Sequence, residues 1–327
     1  MVNFKEASHY KKLPNKKVHC LLCPHNCIID NGEVGKCNVR MNINGSLKAM
    51  NYSKLHTVKQ EVIEDFPIYH FFPGSKTLSI GSAGENLEYK WNKNEFYGKS
   101  FNEIPTLNQD PIKVIKQAEN SNINIIAHKY SEPLMSFEFI RDISKKSPKF
   151  NHVIVSNGFF ESIPAKELTK RISAALFDIH SMSESFYENI LKGKLDSVLN
   201  TIKIFYDNNV WVEIKMTLVK EVHDNMYDVK KLVSWILNKL DANVPLHLIS
   251  YDKANYKPNN ETMEKARKIA KGAGMNYVYL HGIEFNGVKT TFCPNCTKPI
   301  IYRDKDKWFN YIKDGKCKCG KEIAGVW

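Results

Sequence analysis

The stretch Lys76–Asn94, KTLSIGSAGENLEYKWNKN, decides the fold. Lys76 to Ile80 alternates polar and apolar residues as a half-buried strand does, and Gly81 and Gly84 then release the backbone into a polar loop. A strand that ends in a glycine loop is where α/β proteins place chemistry, although glycines after a strand also serve as plain turns. The flanking sequence decides between the two.

Downstream, helical and strand-like segments alternate with little interruption. Pro111–Asn120 has helical spacing, Ile123–His128 is a short β-branched run, and a helix is expected near Leu134–Ser144. Strands at His152–Gly158 and Ala174–His180 flank a helix near Ala165–Arg171, and helical pieces follow at Glu184–Leu191 and Leu195–Asn208. A long strand Val210–Val219, a helix near Tyr227–Leu240, a strand Val244–Ser250, a helix Glu261–Gly274 and a strand Asn276–Leu280 complete the series. Strands spaced by roughly 30 residues, each followed by a helix, pair in parallel through right-handed crossovers. The expectation is an α/β protein with an open or partial (β/α) barrel of the (β/α)6 type.

In such barrels functional groups sit at the C-terminal strand ends. Those ends carry Glu85, Tyr89 and Asn92, then His128, Glu132 and Pro133, then Asn157 and Gly158, Asp178 and His180, with Glu213 and Lys215 inside the long strand and His247 and Tyr251 beyond it. Singly, each reads as a satisfied core or loop group; their shared location raises the set above that.

The chain has 327 residues, 43% of them hydrophobic, enough for one large α/β domain with small appendages. No apolar run reaches the roughly 20 residues of a membrane span, and Met1 to His19 is polar and lysine-rich, so a cytoplasmic protein without membrane association is expected. The net charge of +12 would attract polyanions, but the lysines are spread along the chain and read first as a solvated surface.

All eight cysteines fall into two groups of four at opposite ends of the chain. Cys20, Cys23, Cys27 and Cys37 lie on short turn-rich segments that suit a metal; disulfides do not fit a cytosolic chain. Zinc comes first for this group, with an iron–sulfur cluster also open, because four thiolates serve both. Cys293, Cys296, Cys317 and Cys319 read as a zinc ribbon: two thiolate knuckles joined by a β-hairpin through Ile300–Ile312, with Gly320 supplying the open backbone angle after the shortened CxC knuckle. The divisions expected are 1–75 for the N-terminal metal module and its extension, 76–284 for the barrel and 285–327 for the ribbon.

CLLCPHNCIIDNGEVGKCNVRMNINGSL at the start, IYHFFPGS at Ile68–Ser75, YSEP at Tyr130–Pro133, SNG at Ser156–Gly158, LDSVLNTIKIFYDNNVWVEIKMTLV and the terminal CPNC…IIYR…GKCKCGKEIAGVW carry a resemblance. Over nearly its whole length the chain resembles the radical S-adenosylmethionine proteins of the AmmeMemoRadiSam group, relatives of the pyruvate formate-lyase activating enzymes. The resemblance implies a radical-SAM-like barrel in which Glu132 and Pro133 correspond to the motif that meets the methionine end of S-adenosylmethionine, and Asn157 and Gly158 to the next strand end. Asp178 and Lys215, at later strand ends, are taken as cofactor-pocket positions too, while Lys129, Ser131, His180 and Lys215 depart from the family pattern.

One departure outweighs these agreements. The family's first-strand loop resembles GCNxxCxxCQN, whose thiolates hold the cluster that cleaves S-adenosylmethionine, whereas this chain reads GENLEYKWNKN. Glu85, Tyr89 and Asn92 stand where the cysteines should be, Lys93 replaces a glutamine, and no cysteine lies between Cys37 and Cys293. Carboxylate, phenol and amide do not assemble that cluster. The expectation is a degenerate, non-radical binding or assembly protein with a protein partner, for which S-adenosylmethionine is doubtful. Two alternatives stay open. One is a repurposed enzyme using Glu85, Glu132, His128 or His180 as acid–base groups, with a Glu85–Lys215 pair or a new polar ligand; the other is a zinc-ribbon nucleic-acid or ribonucleoprotein factor. Oligomeric state is not legible.

Overall fold

Asp110 accepts hydrogen bonds from the Ile112 and Lys113 backbone N–H groups, and Pro111 occupies the first helical position, so helix α1 begins at Pro111 and runs as Pro111–Asn120, with the bounds expected. Its buried face is Val114, Ile115 and Ala118, the i, i+1, i+4 spacing of a helix lying on a sheet. The computed structural model of the chain describes residues 4–88, 99, 101–222, 224–283, 285, 287–304 and 307–327.

The protein is mixed α/β with a large, mainly parallel sheet. It divides into two compact units, one of residues 1–65, 75–175 and 184–210, the other of 66–74, 176–183 and 211–327. In the first unit, β1 (Lys54–Val62) runs antiparallel to β2 (Lys76–Ser82). β2 then pairs in parallel with β3 (Ile125–His128), and β3 with β4 (Asn151–Ser156). The opening strand expected at Lys76 therefore has a partner the sequence did not announce, in residues expected to extend the metal module.

Helices α1 and α2 (Phe137–Lys146) pack against each other, with Leu78, Ile80, Val114, Ile126, Phe139 and Ile143 in one buried cluster. Each such side chain contributes about 1.5–3 kcal/mol on burial. Further on are α3 (Ser162–Thr169) and α4 (Leu195–Asp207), which contact each other.

Two small antiparallel sheets form the start of this unit. One orders Tyr10–Lys12, Val18–Cys20 and Ile28–Ile29; the other orders Lys5–Glu6, Ser46–Ala49 and Arg40–Ile43.

In the second unit the parallel strands are β6 (Trp211–Leu218), β7 (Leu246–Ser250) and β8 (Val278–His281), with Lys215 opposite His247 and His247 opposite Tyr279. The strand β5 (Ala174–Asp178) leads into this unit. Helices α5 (Met226–Lys239) and α6 (Asn260–Gly272) begin at side-chain caps from Asn225 and Asn259. At the C-terminus β9 (Thr291–Phe292), β10 (Pro299–Asp304) and β11 (Lys307–Asn310) form a three-stranded antiparallel sheet, with β10–β11 at the place of the expected hairpin. Among the described residues no helix is long and apolar enough to cross a membrane.

Candidate metal centres and strand-end cavity

The C-terminal cysteines sit on two tight turns. Cys293 N–H donates to Lys298 O at 2.9 Å, Cys317 N–H to Lys321 O at 2.9 Å, and Gly320 takes φ +86°, the open angle the CxC knuckle requires. The ligand sulfurs of Cys293, Cys296, Cys317 and Cys319 all lie within 4.8 Å of one another, with Cys293 to Cys319 at 3.6 Å and Cys296 to Cys317 at 3.7 Å. Four thiolates at about 2.3 Å on one tetrahedral ion stand about 3.8 Å apart, so the set fits a single metal ion.

The N-terminal cysteines are arranged differently. Cys20 closes the strand Val18–Cys20, Cys23 and Cys27 lie on the turn after it, and Cys37 lies on a turn closed by Gly35 N–H to Arg40 O at 2.8 Å. All four line one small cavity, together with Leu22, Arg40 and Met135. Among the described residues the set gathered within 4.8 Å is the C-terminal one, so the N-terminal thiols stand wider apart. Burial pushes the Cys20 and Cys23 thiols up and Cys37 to about 11, so metal binding here has to displace protons.

Beyond Ser82 the β2 loop passes close to two elements. A Cβ at Gly84 would come within 2.9 Å of Met135 Cβ and Val39 Cγ2, and its φ is +128°, so this glycine is fixed by close approach as well as by backbone angle. The loop opens onto a cavity of about 310 Å³ lined by His25, Lys36, Cys37, Asn38, Glu85, Asn86, Glu88, Lys99 and Ser131, among others. Burial lowers the His25 pKa, and its Nε2 lies 2.8 Å from Asn86 O, where it donates. Glu85 is thus at a cavity, as its strand-end position suggests. Tyr89, Trp91, Asn92 and Lys93 lie outside the described residues.

Glu132 is almost wholly buried, and both its oxygens already accept from protein: Oε1 from Leu134 N–H at 2.9 Å and Ser156 Oγ at 2.8 Å, Oε2 from Asn157 N–H at 2.8 Å. Pro133 opens the 3₁₀ turn that Glu132 caps. Asn157 Nδ2 donates to Asn86 Oδ1 at 2.9 Å, and Asn86 Nδ2 to Phe159 O at 2.6 Å. Gly158 takes φ +73° and donates to Ser156 Oγ at 2.9 Å. Side chains grouped by strand-end position alone therefore form one hydrogen-bonded framework that holds the loop.

His128 does not line that cavity. Its Nε2 is 3.1 Å from His152 Nδ1, and His152 Nε2 is 2.9 Å from Ser147 Oγ just past α2, so it belongs to a buried polar chain that burial keeps neutral. His128 therefore lies in that buried chain and not at the cavity that Glu85 lines.

In the second unit Lys215 pairs with Asp178 at 2.8 Å, and His180 Nδ1 lies 4.0 Å from Asp178. Deeper, Glu213 is fully buried and collects donors from Tyr69 N–H, His70 N–H, Trp211 Nε1 and His247 Nε2, the last at 2.7 Å. His247 Nδ1 is 3.1 Å from His281 Nε2. His70 bridges Tyr279 OH at 2.6 Å and Ala324 O at 2.7 Å, and Arg303 reaches Tyr69 O at 2.6 Å. Sequence reasoning placed Glu213 and His247 among strand-end groups but missed that they brace the segment carrying Tyr69 and His70. No local pattern signals a contact across 144 residues.

In the loop after β2 Glu85 offers a carboxylate, and the sequence supplies no thiol between Cys37 and Cys293.

No protein-family model matches the chain. A curated relative, the uncharacterized protein MJ0808 of Methanocaldococcus jannaschii, is 32% identical over 336 residues and is covered to 98%, as is this chain. Solved structures similar to this chain include a radical SAM methyltransferase. They also include a domain of the pyruvate-formate lyase-activating enzyme from Bacteroides vulgatus, at 16% identity and TM-score 0.42 over 48% of this chain and 98% of that one. The methyltransferase, from Sphaerobacter thermophilus, gives 11% and 0.49 over 71% and 78%, and QueE from Escherichia coli 12% and 0.43 over 71% and 94%.

Proposed function

The chain belongs to the protein family of MJ0808 from Methanocaldococcus jannaschii, and we propose that it acts as a cytoplasmic, metal-stapled binding or assembly protein that runs no cluster chemistry at its first-strand loop. The observation that carries this reading is Glu85 at the strand-end cavity in a chain with no cysteine between Cys37 and Cys293. Glu132 supports it: a carboxylate whose oxygens both accept from Leu134, Ser156 and Asn157 serves the loop framework before any cofactor. Zinc is assigned to Cys293, Cys296, Cys317 and Cys319, and a metal to the N-terminal four. S-adenosylmethionine is not required, and the ligand of the cavity is a small polar molecule or a partner side chain that matches Lys36, Glu88 and His25.

Elemental analysis and a visible spectrum on protein purified without oxygen test this, together with affinity capture of partners. Two zinc per chain, a colourless solution and a recovered partner are expected. Reductive cleavage of added S-adenosylmethionine by the purified chain would overturn the reading.

One observation favours a second reading, a nucleic-acid-associated factor. On one face of the β10–β11 hairpin the rings of Tyr302, Phe309 and Tyr311 stand in series at 5.1 and 5.4 Å, and Lys318 Nζ lies 5.3 Å from the Tyr311 ring. Aromatic rings beside exposed cations form stacking platforms for single strands. Binding of single-stranded RNA that weakens steeply with salt and with Tyr311→Ala would establish it; a flat salt response removes it.

A further inference from the structure

Arg40 is 1% exposed, and its guanidinium is only partly satisfied: Nη2 donates to Glu138 Oε2 at 2.7 Å, while Nε and Nη1 are buried and meet no acceptor. An orphaned buried donor costs about 1–3 kcal/mol, more on a charged group. A buried ion pair is also often no more stable than an apolar pair of the same shape. Stability alone therefore does not account for an arginine here.

The same guanidinium lines the small cavity with Cys20, Cys23, Cys27 and Cys37. One turn sets both partners, since Gly35 N–H donates to Arg40 O and Cys37 lies between them. Neutral thiols are poor acceptors. Thiolates on a metal are good ones, and four of them leave a net charge of −2 on either a zinc ion or a [4Fe–4S]²⁺ core.

We propose that the N-terminal cysteines hold a dianionic tetrathiolate metal centre for which Arg40 is the outer-sphere cation, its two orphaned N–H groups donating to coordinated sulfur. This rests on the metal reading of the N-terminal four. It assigns Arg40 two tasks: Nη2 ties the module to Glu138 of α2, and Nε and Nη1 orient and stabilise the centre. Because Cys37 also lines the cavity of about 310 Å³, the centre forms part of that cavity's wall.

The test compares the full-length chain with the double variant Arg40→Met/Glu138→Gln, which removes both charges, keeps the volume, and leaves a Gln oxygen for the Ser8 N–H that donates to Glu138 at 2.7 Å. Metal retained under a fixed excess of chelator is followed by elemental analysis. Sulfide content and visible absorption separate a cluster from zinc, and cobalt(II) substitution reports thiolate ligation in the zinc case. The double variant is expected to hold the N-terminal metal about 10- to 100-fold less tightly, while the ribbon metal is unchanged and serves as internal reference. Arg40→Lys, which keeps the charge and loses the planar fork, is expected to fall between. Unchanged retention in either variant overturns the role of Arg40. A chain with Arg40 and Glu138 intact that loses all its metal on Cys293→Ser overturns the metal reading itself.

Discussion

In the ribbon, Cys293 and Cys317 are members of the hydrophobic core, packed in one cluster with Tyr69, Tyr277, Tyr279, Ile300 and Ile323. In the N-terminal module Cys20, Cys23 and Cys37 are buried too, but they line a cavity inside a framework to which other residues contribute: Val18, Leu22, Ile29, Val39 and Leu47 are buried, Arg40 pairs with Glu138, and Glu161 N–H donates to Leu22 O at 3.1 Å. The same four-thiol chemistry is thus used in two ways. Where the ligands are the core, the metal and the fold are one equilibrium; where they are guests, the fold can outlast the metal.

The sharpest way to break this contrast is Cys317→Ser. It should release the ribbon metal and unfold residues 289–327, forfeiting much of the roughly 10–16 kcal/mol of a structural zinc site, as read by metal content and hydrogen exchange of the Ile301 and Tyr311 amides. Protection of the α1–α2 cluster should persist. A ribbon that keeps its protection without metal would remove the distinction.

Cys23→Ser is the matching change at the other end. It should abolish N-terminal metal binding, yet the module should stay folded and protease-resistant, losing about 1–3 kcal/mol for a hydroxyl in a buried site, by chemical denaturation. Unfolding of residues 4–50 as complete as that of the ribbon would make the two ends equivalent.

Acid sharpens the contrast through buried histidines. Burial lowers His70, beneath the C-terminal tail, and His152, beneath α2, each to about 4. Both folded values lie below the unfolded value of about 6.5, so the unfolded chain takes up more protons and stability, full above pH 6.5, falls as pH drops towards 4. At pH 5 each group should cost on the order of 2 kcal/mol. The raised pKa of buried Glu213, which lets the folded state take up a proton, offsets part of this. Thermal unfolding measured from pH 7.5 to 5 checks the slope. Exchange of the Val326 amide, which donates to His70 O at 2.7 Å, should rise before that of β3.

The smallest expected effect is at the module's rim. Lys5 Nζ meets Asp142 at 2.7 Å but is partly exposed, so Lys5→Ala should cost about 0.5 kcal/mol or less by denaturant titration. A larger loss would place the module's anchorage at its surface rather than at Arg40 and Glu138.

Much of this protein was legible in the sequence. Helical spacing gave Pro111–Asn120 with the bounds the structure shows, and the two cysteine groups and the open angle at Gly320 followed from spacing and glycine chemistry. β1 was missed because KLHTVKQEV is mostly polar and partly exposed, an edge-like pattern with little apolar signal. The side on which His128 projects was illegible because β3 is buried on both faces and shows no alternation.

Local chemistry determined the elements, the parallel alternation and the residues able to bind metal, because helix caps, strand runs and thiolate turns are each written within a few neighbouring positions. Only the tertiary structure decided which polar groups are used up and by whom. Arg40 finds Glu138 across 98 residues, Asn157 finds Asn86 across 71, and Glu213 finds Tyr69 across 144. The physical reason is that a buried charge or amide must be satisfied by whatever donor the folded chain brings to it, and that partner is set by packing rather than by sequence distance.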